Sequence, residues 1–345
     1  MKATPFAPVD VWEFMRRNTK QRPAIIEGVL RRGEVANLIA PPKLGKSWLV
    51  QSLALAVASG RRWLETFEVH PVPVLHLDNE LQPETLGFRF RSLTNAMKLD
   101  QTGTGERLKV VPMRGCAGFE EKAVSGWCRE RNVGLIIVDA LYRLASAWGL
   151  KNENDNAEVT AFYDRIGALA QDADAAVLLV HHTSKGSQAG KDLTDVGAGA
   201  GAHSRAPDVH LVLRRHVEDC AAVLAGEVRD WSPLKARCFR RHANGLWVPV
   251  DLDVTRLHGG TRPRERVPRP APVPMTVDAL VTGFLSEAPK DVAAVVAEAK
   301  AAGWDSVRAI NDVIRQGKAS GRIFDHRRGN NKPSILATVP VQVGE

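Results

Sequence analysis

The sequence predicts an α/β protein whose central sheet is mostly parallel, carries helices on both faces and is extended by antiparallel strands. Short, wholly apolar runs, typical of buried strands, alternate with segments of helical periodicity over the first half of the chain. A turn containing glycine and lysine follows the first of these runs, and from residue 208 closely spaced strands replace the alternation. Buried strands that alternate with helices indicate a parallel sheet, whose ligands gather at the carboxyl ends of its strands.

The individual elements follow from these patterns. The predicted parallel strands are the apolar runs at residues 35–40, 72–78, 108–113, 133–139 and 175–182. The predicted helices between them span residues 46–59, 83–97, 120–131 and 156–171. The later strands have the sequences VHLVLRR, AAVLAGEVR, KARCFRR and LWVPV. Because no helical segment separates these later strands, we expect them to pair as an antiparallel extension of the sheet.

Composition narrows the class of protein. A chain of 345 residues favours one large domain with a smaller module. No apolar run reaches the roughly eighteen residues of a membrane span, and the N-terminus lacks the apolar core of a secretory signal, so we expect a cytoplasmic protein. The four cysteines lack zinc-site spacing, so we expect reduced thiols and no metal beyond one that arrives with a nucleotide. The net charge of +8 favours a polyanionic partner.

The turn after the first strand has the pattern of a phosphate-binding loop. In such a loop, backbone N–H groups and the helix N-terminus face an anion, Lys46 reaches the β- and γ-phosphates, and the Ser47 hydroxyl binds Mg²⁺. Glycine usually stands at the position of Ala40, and we expect alanine to fill it with extended backbone. A chance GKS sequence is the alternative. The predicted ligands are ATP and Mg²⁺, and the predicted nucleotide-binding residues are Ala40, Pro41, Pro42, Lys43, Leu44, Gly45, Lys46, Ser47 and Trp48.

Two strand ends supply candidate carboxylates. Asp139 ends the run VGLIIVD, where an aspartate holds Mg²⁺ through water together with Ser47. The residue after Asp139 is not a carboxylate, so the catalytic base must come from elsewhere. We predict that Glu80 is this base, that its strand lies beside the phosphate-loop strand, and that Asp78 and Asn79 support it. The alternative is an acidic strand end with no chemical role.

The last parallel strand ends in two histidines and is followed by a long loop. We predict that His182, rather than His181, touches the γ-phosphate and passes hydrolysis on to that loop; a structural histidine is the alternative. The loop, residues 183–204, is rich in glycine and serine and contains Lys185 and Lys191. Such loops are usually functional, and we predict that this one contacts DNA, with an inert surface loop as the alternative.

Arginines follow this loop. ATP bound at a subunit edge needs a cation to offset charge on the γ-phosphate, and a neighbouring subunit can supply it. Arg214, at the end of the strand VHLVL, is our first candidate and Arg205 the second. Each could instead be a partner in a surface ion pair.

A segment rich in proline and arginine divides the chain. Residues 262–274 contain five prolines and four arginines, which predicts a stiff extended linker between an ATPase domain, 1–261, and a module, 275–345. The module has three segments of helical spacing followed by two short strands around a basic turn, which predicts a winged helix. Winged helices bind DNA or proteins, and both remain open. The predicted DNA contacts of the module are Arg315, Arg327, Arg328 and Lys332.

Together these motifs resemble the RecA-like superfamily of P-loop ATPases and, within it, the hexameric plasmid replicative helicases of the RepA type. The resemblance covers residues 20–250 and is carried by IIEGVLRRGEVANLIAPPKLGKSWL, the DNE strand end, IIVDALYRL, LLVHHTSKG and GAGAGAHSRAPDVHLVLRRH. It implies a RecA-like core, a ring with ATP between subunits and single-stranded DNA in the channel. It also implies functional roles for Lys46, Ser47, Glu80, Asp139 and His182. Ala40 and the C-terminal module depart from the family pattern.

We therefore expect an ATP-dependent DNA helicase that hydrolyses ATP at the subunit interfaces of a homohexamer. The C-terminal module would anchor it on duplex DNA or on a replication partner such as an initiator or a primase. Two alternatives remain open. One is a DNA-bound ATPase switch that regulates replication initiation without unwinding, and the other is a recombination ATPase that forms filaments.

Overall fold

The chain forms two compact units, Met1–Gly260 and Thr261–Glu345. A computed structural model describes residues 7–116, 118–183, 190, 192–196, 202–259, 275–304, 306–326 and 334–340. The predicted linker and the candidate DNA-binding residues Lys185, Lys191, Arg327, Arg328 and Lys332 lie outside these residues.

The first unit contains a large sheet with helices on both of its faces. Its elements in chain order are α1 (Val11–Arg17), β1 (Ala24–Ile26), β2 (Leu30–Arg31), β3 (Val35–Ala40), α2 (Lys46–Ser59), β4 (Val74–Asp78), α3 (Pro83–Ala96), α4 (Gln101–Arg107), β5 (Leu108–Pro112), α5 (Glu121–Glu130), β6 (Leu135–Asp139), α6 (Leu141–Ala147), α7 (Asn156–Ala173), β7 (Ala176–His182), a 3₁₀ turn (Leu193–Asp195), α8 (Ala202–Arg205), β8 (Val209–Arg215), β9 (Ala221–Val228), β10 (Leu234–Arg241) and β11 (Trp247–Pro249). Within the described part of the chain, nine of these strands form one sheet in the order β11-β10-β9-β8-β3-β7-β6-β4-β5.

The predicted architecture of this sheet is confirmed. Strands β5, β4, β6, β7, β3 and β8 are parallel, and β9, β10 and β11 extend the sheet with antiparallel pairs. The expectation that the strand ending near Glu80 lies beside the phosphate-loop strand is wrong, because β7 and β6 separate β4 from β3. The physical reason is that parallel strands need long crossover connections, which allow strands formed later in the chain to enter between earlier ones.

Both faces of the parallel strands are buried, which explains their continuous apolar sequences. Side chains of a strand alternate between its two faces. In β6, Leu135 and Ile137 belong to the hydrophobic cluster that contains α2, whereas Ile136 and Val138 belong to the cluster that contains α7. The carboxyl ends of the parallel strands are therefore held at one edge between two packed layers of helices.

Helix ends follow local chemistry, but the shortest helices were not predicted. The Asp155 carboxylate accepts hydrogen bonds from the amides of Ala157 and Glu158, and it thereby starts α7. Helices α1, α4, α6 and α8 have four to seven residues each. Such helices complete at most two turns, so their sequences are too short to show helical periodicity.

The second unit is a small α/β structure. Its elements are α9 (Val277–Phe284), β12 (Lys290–Asp291), α10 (Val292–Ala301), α11 (Val307–Ala319), β13 (Phe324–Asp325) and β14 (Ile335–Ala337). The side chains of Thr276, Asp291 and Ser306 cap the N-termini of the three helices. The strands pair antiparallel in the order β12-β14-β13, and Leu280 and Trp304 lie in the buried core. The three segments of predicted helical spacing are thus helices in the structure.

Candidate nucleotide-binding site

The phosphate loop joins β3 to α2 at the carboxyl edge of the sheet. Gly45 immediately precedes α2 with a φ of 109°, a conformation that favours glycine. Because glycine has no side chain to cap the helix, the first N–H groups of α2 are left for an anion. Ala40 is fully buried and pairs with His182 in the parallel ladder, and its carbonyl accepts a hydrogen bond from the Thr183 amide. Alanine therefore fits this position because it remains part of the strand.

Lys46 lies against His182. Its ammonium nitrogen is 3.3 Å from Nδ1 and 3.4 Å from Nε2 of the imidazole, and only 6% of Lys46 is exposed. Burial lowers the pKa of His182, and the charge of Lys46 lowers it further. A neutral imidazole can accept a hydrogen bond from the ammonium group. The loop lysine and the end of β7 are thus in direct contact before any phosphate is bound.

Asp139 is a buried carboxylate at the end of β6. Burial raises its pKa to about 6, and the neighbouring charge of Asp78 adds to the rise. Ser47 and Lys46 act in the opposite direction, although Ser47 does not complete a hydrogen bond of ordinary geometry with either carboxylate oxygen. A buried carboxylate without a hydrogen-bond partner among the described residues, beside the serine of a phosphate loop, fits a site for Mg²⁺ that is held through water. The side chains of Ser47 and Asp139 therefore fit the predicted metal position.

A turn after β4 carries Glu80 toward this site. The Asp78 carboxylate accepts hydrogen bonds from the Glu80 and Leu81 amides at 2.9 and 2.8 Å. The Asn79 side chain brackets the Ala140 peptide, since its amide nitrogen donates to the Ala140 carbonyl and its oxygen accepts from the Ala140 amide. Asp78 and Asn79 thus join the ends of β4 and β6, and Glu80 follows them as a partly exposed carboxylate.

The supporting residues also explain how Glu80 reaches the site from a distant strand. Asp78 lies directly opposite Asp139 in the parallel ladder, and the Asn79 amide donates to the Asp139 carbonyl at 2.8 Å. The negative charge of Glu80 raises the pKa of His182, against the dominant effect of burial. Glu80 therefore lies within electrostatic range of the Lys46 and His182 pair, even though two strands separate β4 from β3.

Arg89 is a site residue that the sequence reasoning missed. Its guanidinium carbon lies 4.9 Å from the centre of the Trp48 ring. Burial lowers its pKa, and four charged groups act on it, namely Asp139, Asp78, Arg241 and Glu80. A signal was present in the sequence: Arg89 lies three residues after Leu86, one of the two buried residues of α3, and so near its inner face.

The two candidate trans-acting arginines lie on different elements. Arg214 is at the end of β8, which runs parallel to β3, so it lies at the same edge as the phosphate loop. Burial lowers the pKa of Arg214, and the charge of Asp192 acts in the opposite direction. Arg205 ends α8 and is exposed. The position of Arg214 at the sheet edge and the exposure of Arg205 are both compatible with a role toward another subunit.

Of the predicted DNA-binding residues of the second unit, Arg315 lies in the described part of the chain. It is on α11, its side chain is 80% exposed, and it pairs with Asp312 at 3.2 Å. The described residues contain no cluster of three or more metal-ligating side chains, and no described helix combines the length and the hydrophobicity of a membrane span.

The fold and the site together define a P-loop ATPase with a RecA-like core. A model of the AAA domain family matches residues 2–188, so the chain belongs to this family of nucleotide-binding ATPases. Two solved structures are similar. The first, the ATPase domain of a helicase, is 12% identical, with 70% of this chain and 96% of that chain covered and a TM-score of 0.49. The second, the RadB recombinase, is 17% identical, with 64% and 92% covered and a TM-score of 0.44.

Proposed function

We propose that this ATPase is a cytoplasmic DNA-translocating motor, namely a hexameric replicative helicase of a plasmid or another mobile element. The observation that supports this most directly is the 3.3 Å contact between Lys46 and His182. It links the phosphate loop to the residue that precedes the loop 183–204, the candidate DNA-binding segment. A motor needs such a link, because the nucleotide state must reach the DNA-binding element.

At the phosphate site, each residue has a distinct proposed role. Lys46 neutralises the β- and γ-phosphates, and Ser47 and Asp139 hold Mg²⁺. When bound, Mg²⁺ would offset the charge that develops on the phosphate oxygens. A nearby dication also favours the ionised form of Asp139, whose pKa is otherwise raised. Glu80 orients the attacking water and takes its proton onto the carboxylate.

The response to hydrolysis would pass through β7. With a γ-phosphate present, the Lys46 ammonium binds phosphate as well as the His182 ring. Loss of the γ-phosphate changes this balance and moves the end of β7. We propose that Lys185 and Lys191 then change their contacts with the backbone of single-stranded DNA. These two residues would move together because they belong to the loop that follows His182.

Completion of the site would require a second subunit. ATP is proposed to lie at the interface, with Arg214 or Arg205 of a neighbour approaching the γ-phosphate. Arg89 supplies a cation from the same subunit, because it already lies against Trp48 and within electrostatic range of Asp139. A ring of this kind hydrolyses ATP only when neighbours are correctly placed.

The C-terminal module is proposed to be a winged helix that anchors the motor on duplex DNA or on an initiator or primase. The element order helix, strand, helix, helix, strand, strand supports a winged helix. Residues 303–332 carry seven basic and three acidic side chains, which favours a phosphate backbone as partner. We propose the domain boundaries 1–261, 262–274 and 275–345.

One experiment separates the candidate activities. ATPase activity is measured with and without single-stranded DNA, and strand separation of a forked duplex is measured in the same buffer. Stimulation by DNA together with unwinding would support the helicase. Stimulation without unwinding would indicate the replication switch, and neither response would refute the DNA motor. Electron microscopy of the ATP-bound protein distinguishes rings from the filaments of a recombination ATPase.

A further inference from the structure

The hairpin formed by β10 and β11 reaches back to the phosphate loop. These strands lie at the far end of the sheet from β4 and β5, yet the indole N–H of Trp247 donates to the Gly45 carbonyl at 3.4 Å. A Cβ added to Gly45 would lie 2.9 Å from Cδ of Arg241 and 3.2 Å from the Trp247 ring. The hairpin therefore packs directly on the glycine that precedes α2.

A second contact lies one turn further along. Gly245, at the tip of the hairpin, has a φ of 87°, and a Cβ at this position would lie 1.9 Å from the Trp48 ring. Trp48 directly follows the loop serine and also contacts the Arg89 guanidinium. The absence of a side chain at Gly245 thus leaves the space that the Trp48 ring occupies.

The hairpin tip is itself held in place. The His242 amide donates to the Leu246 carbonyl, and the Gly245 amide donates to the His242 carbonyl, both at 2.9 Å. The Ser92 hydroxyl donates to the Asn244 carbonyl at 2.8 Å, which ties the tip to α3. Trp247 is 1% exposed, so it is anchored in the core. A rigid element therefore supports the loop from outside the phosphate-binding face.

Rigid support matters because a phosphate loop binds through several backbone N–H groups at once. A loop already held in its binding geometry does not lose conformational freedom when the nucleotide binds. We propose that the β10–β11 hairpin preorganises the phosphate loop, with Trp247 and Gly245 as positioning residues for ATP. This role concerns nucleotide binding alone and does not depend on DNA or on unwinding.

The two positions have matched controls within the chain. Trp247→Phe keeps a ring but removes the donor to Gly45. Trp63→Phe makes the same change at another tryptophan that is 1% exposed, whose indole N–H has no hydrogen-bond partner among the described residues. Gly245→Ala introduces a side chain into the Trp48 ring. Gly28→Ala adds a Cβ at a similar φ of 73° with nothing within 4 Å.

The test measures KM for ATP, kcat and the increase in melting temperature caused by ADP. Loss of one hydrogen bond predicts that Trp247→Phe raises KM roughly threefold to tenfold, while kcat changes less than about twofold. Gly245→Ala should raise KM more, because the first turn of α2 must move. The ADP-dependent increase in melting temperature should shrink in both variants but not in Trp63→Phe or Gly28→Ala.

Two results would overturn the proposal. One is equal KM values in Trp247→Phe and Trp63→Phe, and the other is a fall in kcat alone. If Gly245→Ala fails to fold, the Trp247→Phe and Trp63→Phe pair still decides the outcome. Circular dichroism melts of the nucleotide-free variants separate a general loss of stability from a specific loss of nucleotide binding.

Discussion

Asp78 and Asp139 lie directly opposite each other in the neighbouring strands β4 and β6, and their environments move their pKa values in opposite directions. Burial tends to raise the pKa of Asp78, but His76 and the backbone amides of Leu81 and Glu80 lower it overall. Burial raises the pKa of Asp139 to about 6, and its Asp78 neighbour contributes. One carboxylate therefore stays ionised and holds a turn, while the other is available to a cation.

The first prediction concerns the stability cost of Asp139. A carboxyl whose folded pKa is raised from 3.8 to about 6 binds more protons in the folded state between these values, so its contribution to stability falls as pH rises through this window. Without Mg²⁺ and nucleotide, Asp139→Asn should therefore raise the free energy of unfolding at pH 7.5 by roughly 3 kcal/mol, and the gain should vanish near pH 4. Urea unfolding at the two pH values checks this. A gain that is independent of pH would contradict the buried-charge explanation.

The second prediction concerns Lys46. Lys46→Ala should lower kcat for ATP hydrolysis at least about 100-fold, because the variant lacks a cation at the developing phosphate charge. Steady-state phosphate release measures the effect. Lys151→Ala, which removes an exposed lysine of the same unit, serves as the control and should keep normal turnover. Normal hydrolysis by Lys46→Ala would refute the assigned phosphate site.

The third prediction separates binding from chemistry at Glu80. Glu80→Gln keeps the size of the side chain but removes its ability to take a proton, so kcat should fall roughly 100-fold to 10,000-fold. Binding of a fluorescent ATP analogue should change little. Glu84→Gln, on an exposed position of α3, should behave like the unmodified protein. An equal loss of activity in both variants would argue against a specific base.

The fourth prediction concerns a buried polar network around Asn37. Its amide nitrogen donates to the Tyr163 hydroxyl at 3.0 Å and to the His203 carbonyl at 2.5 Å, and its oxygen accepts from Nδ1 of His210 at 2.8 Å. Asn37→Leu removes this partner from three buried polar groups and should lower the free energy of unfolding by roughly 2 to 4 kcal/mol. Tyr163→Phe removes a single partner and should cost about 1 kcal/mol. Chemical denaturation measures both, and equal effects would contradict the network.

The fifth prediction tests the C-terminal module. If Arg315 contacts a DNA phosphate, Arg315→Ala should weaken duplex binding for all sequences and reduce the slope of log K against log salt by about one. Asp312→Asn removes the carboxylate that pairs with Arg315, and it should strengthen binding. Fluorescence anisotropy at several salt concentrations measures both changes. Arg16→Ala, an exposed arginine of the first unit, should leave the slope unchanged.

The phosphate loop and its strand were predictable because their signals are local. The run 35–40, the loop glycine and the helix from Lys46 to Ser59 are consecutive, and the structure has the same bounds for both elements. Glu80 and His182 could be chosen because each follows or ends a buried strand. Arg89 and Trp247 were not chosen, since their place beside the loop depends on how α3 and the β10–β11 hairpin pack.

The amino-acid order by itself determined the class of fold, the phosphate loop and the set of strand ends that carry polar groups. Each of these depends on periodicity and on residues within a few positions of one another. Only the tertiary structure decided that β4 lies three places from β3, that Asn79 joins its end to β6, and that a distant hairpin supports Gly45. These relationships depend on which crossover the chain takes and on side-chain packing across the sheet, and neither is encoded in a local pattern.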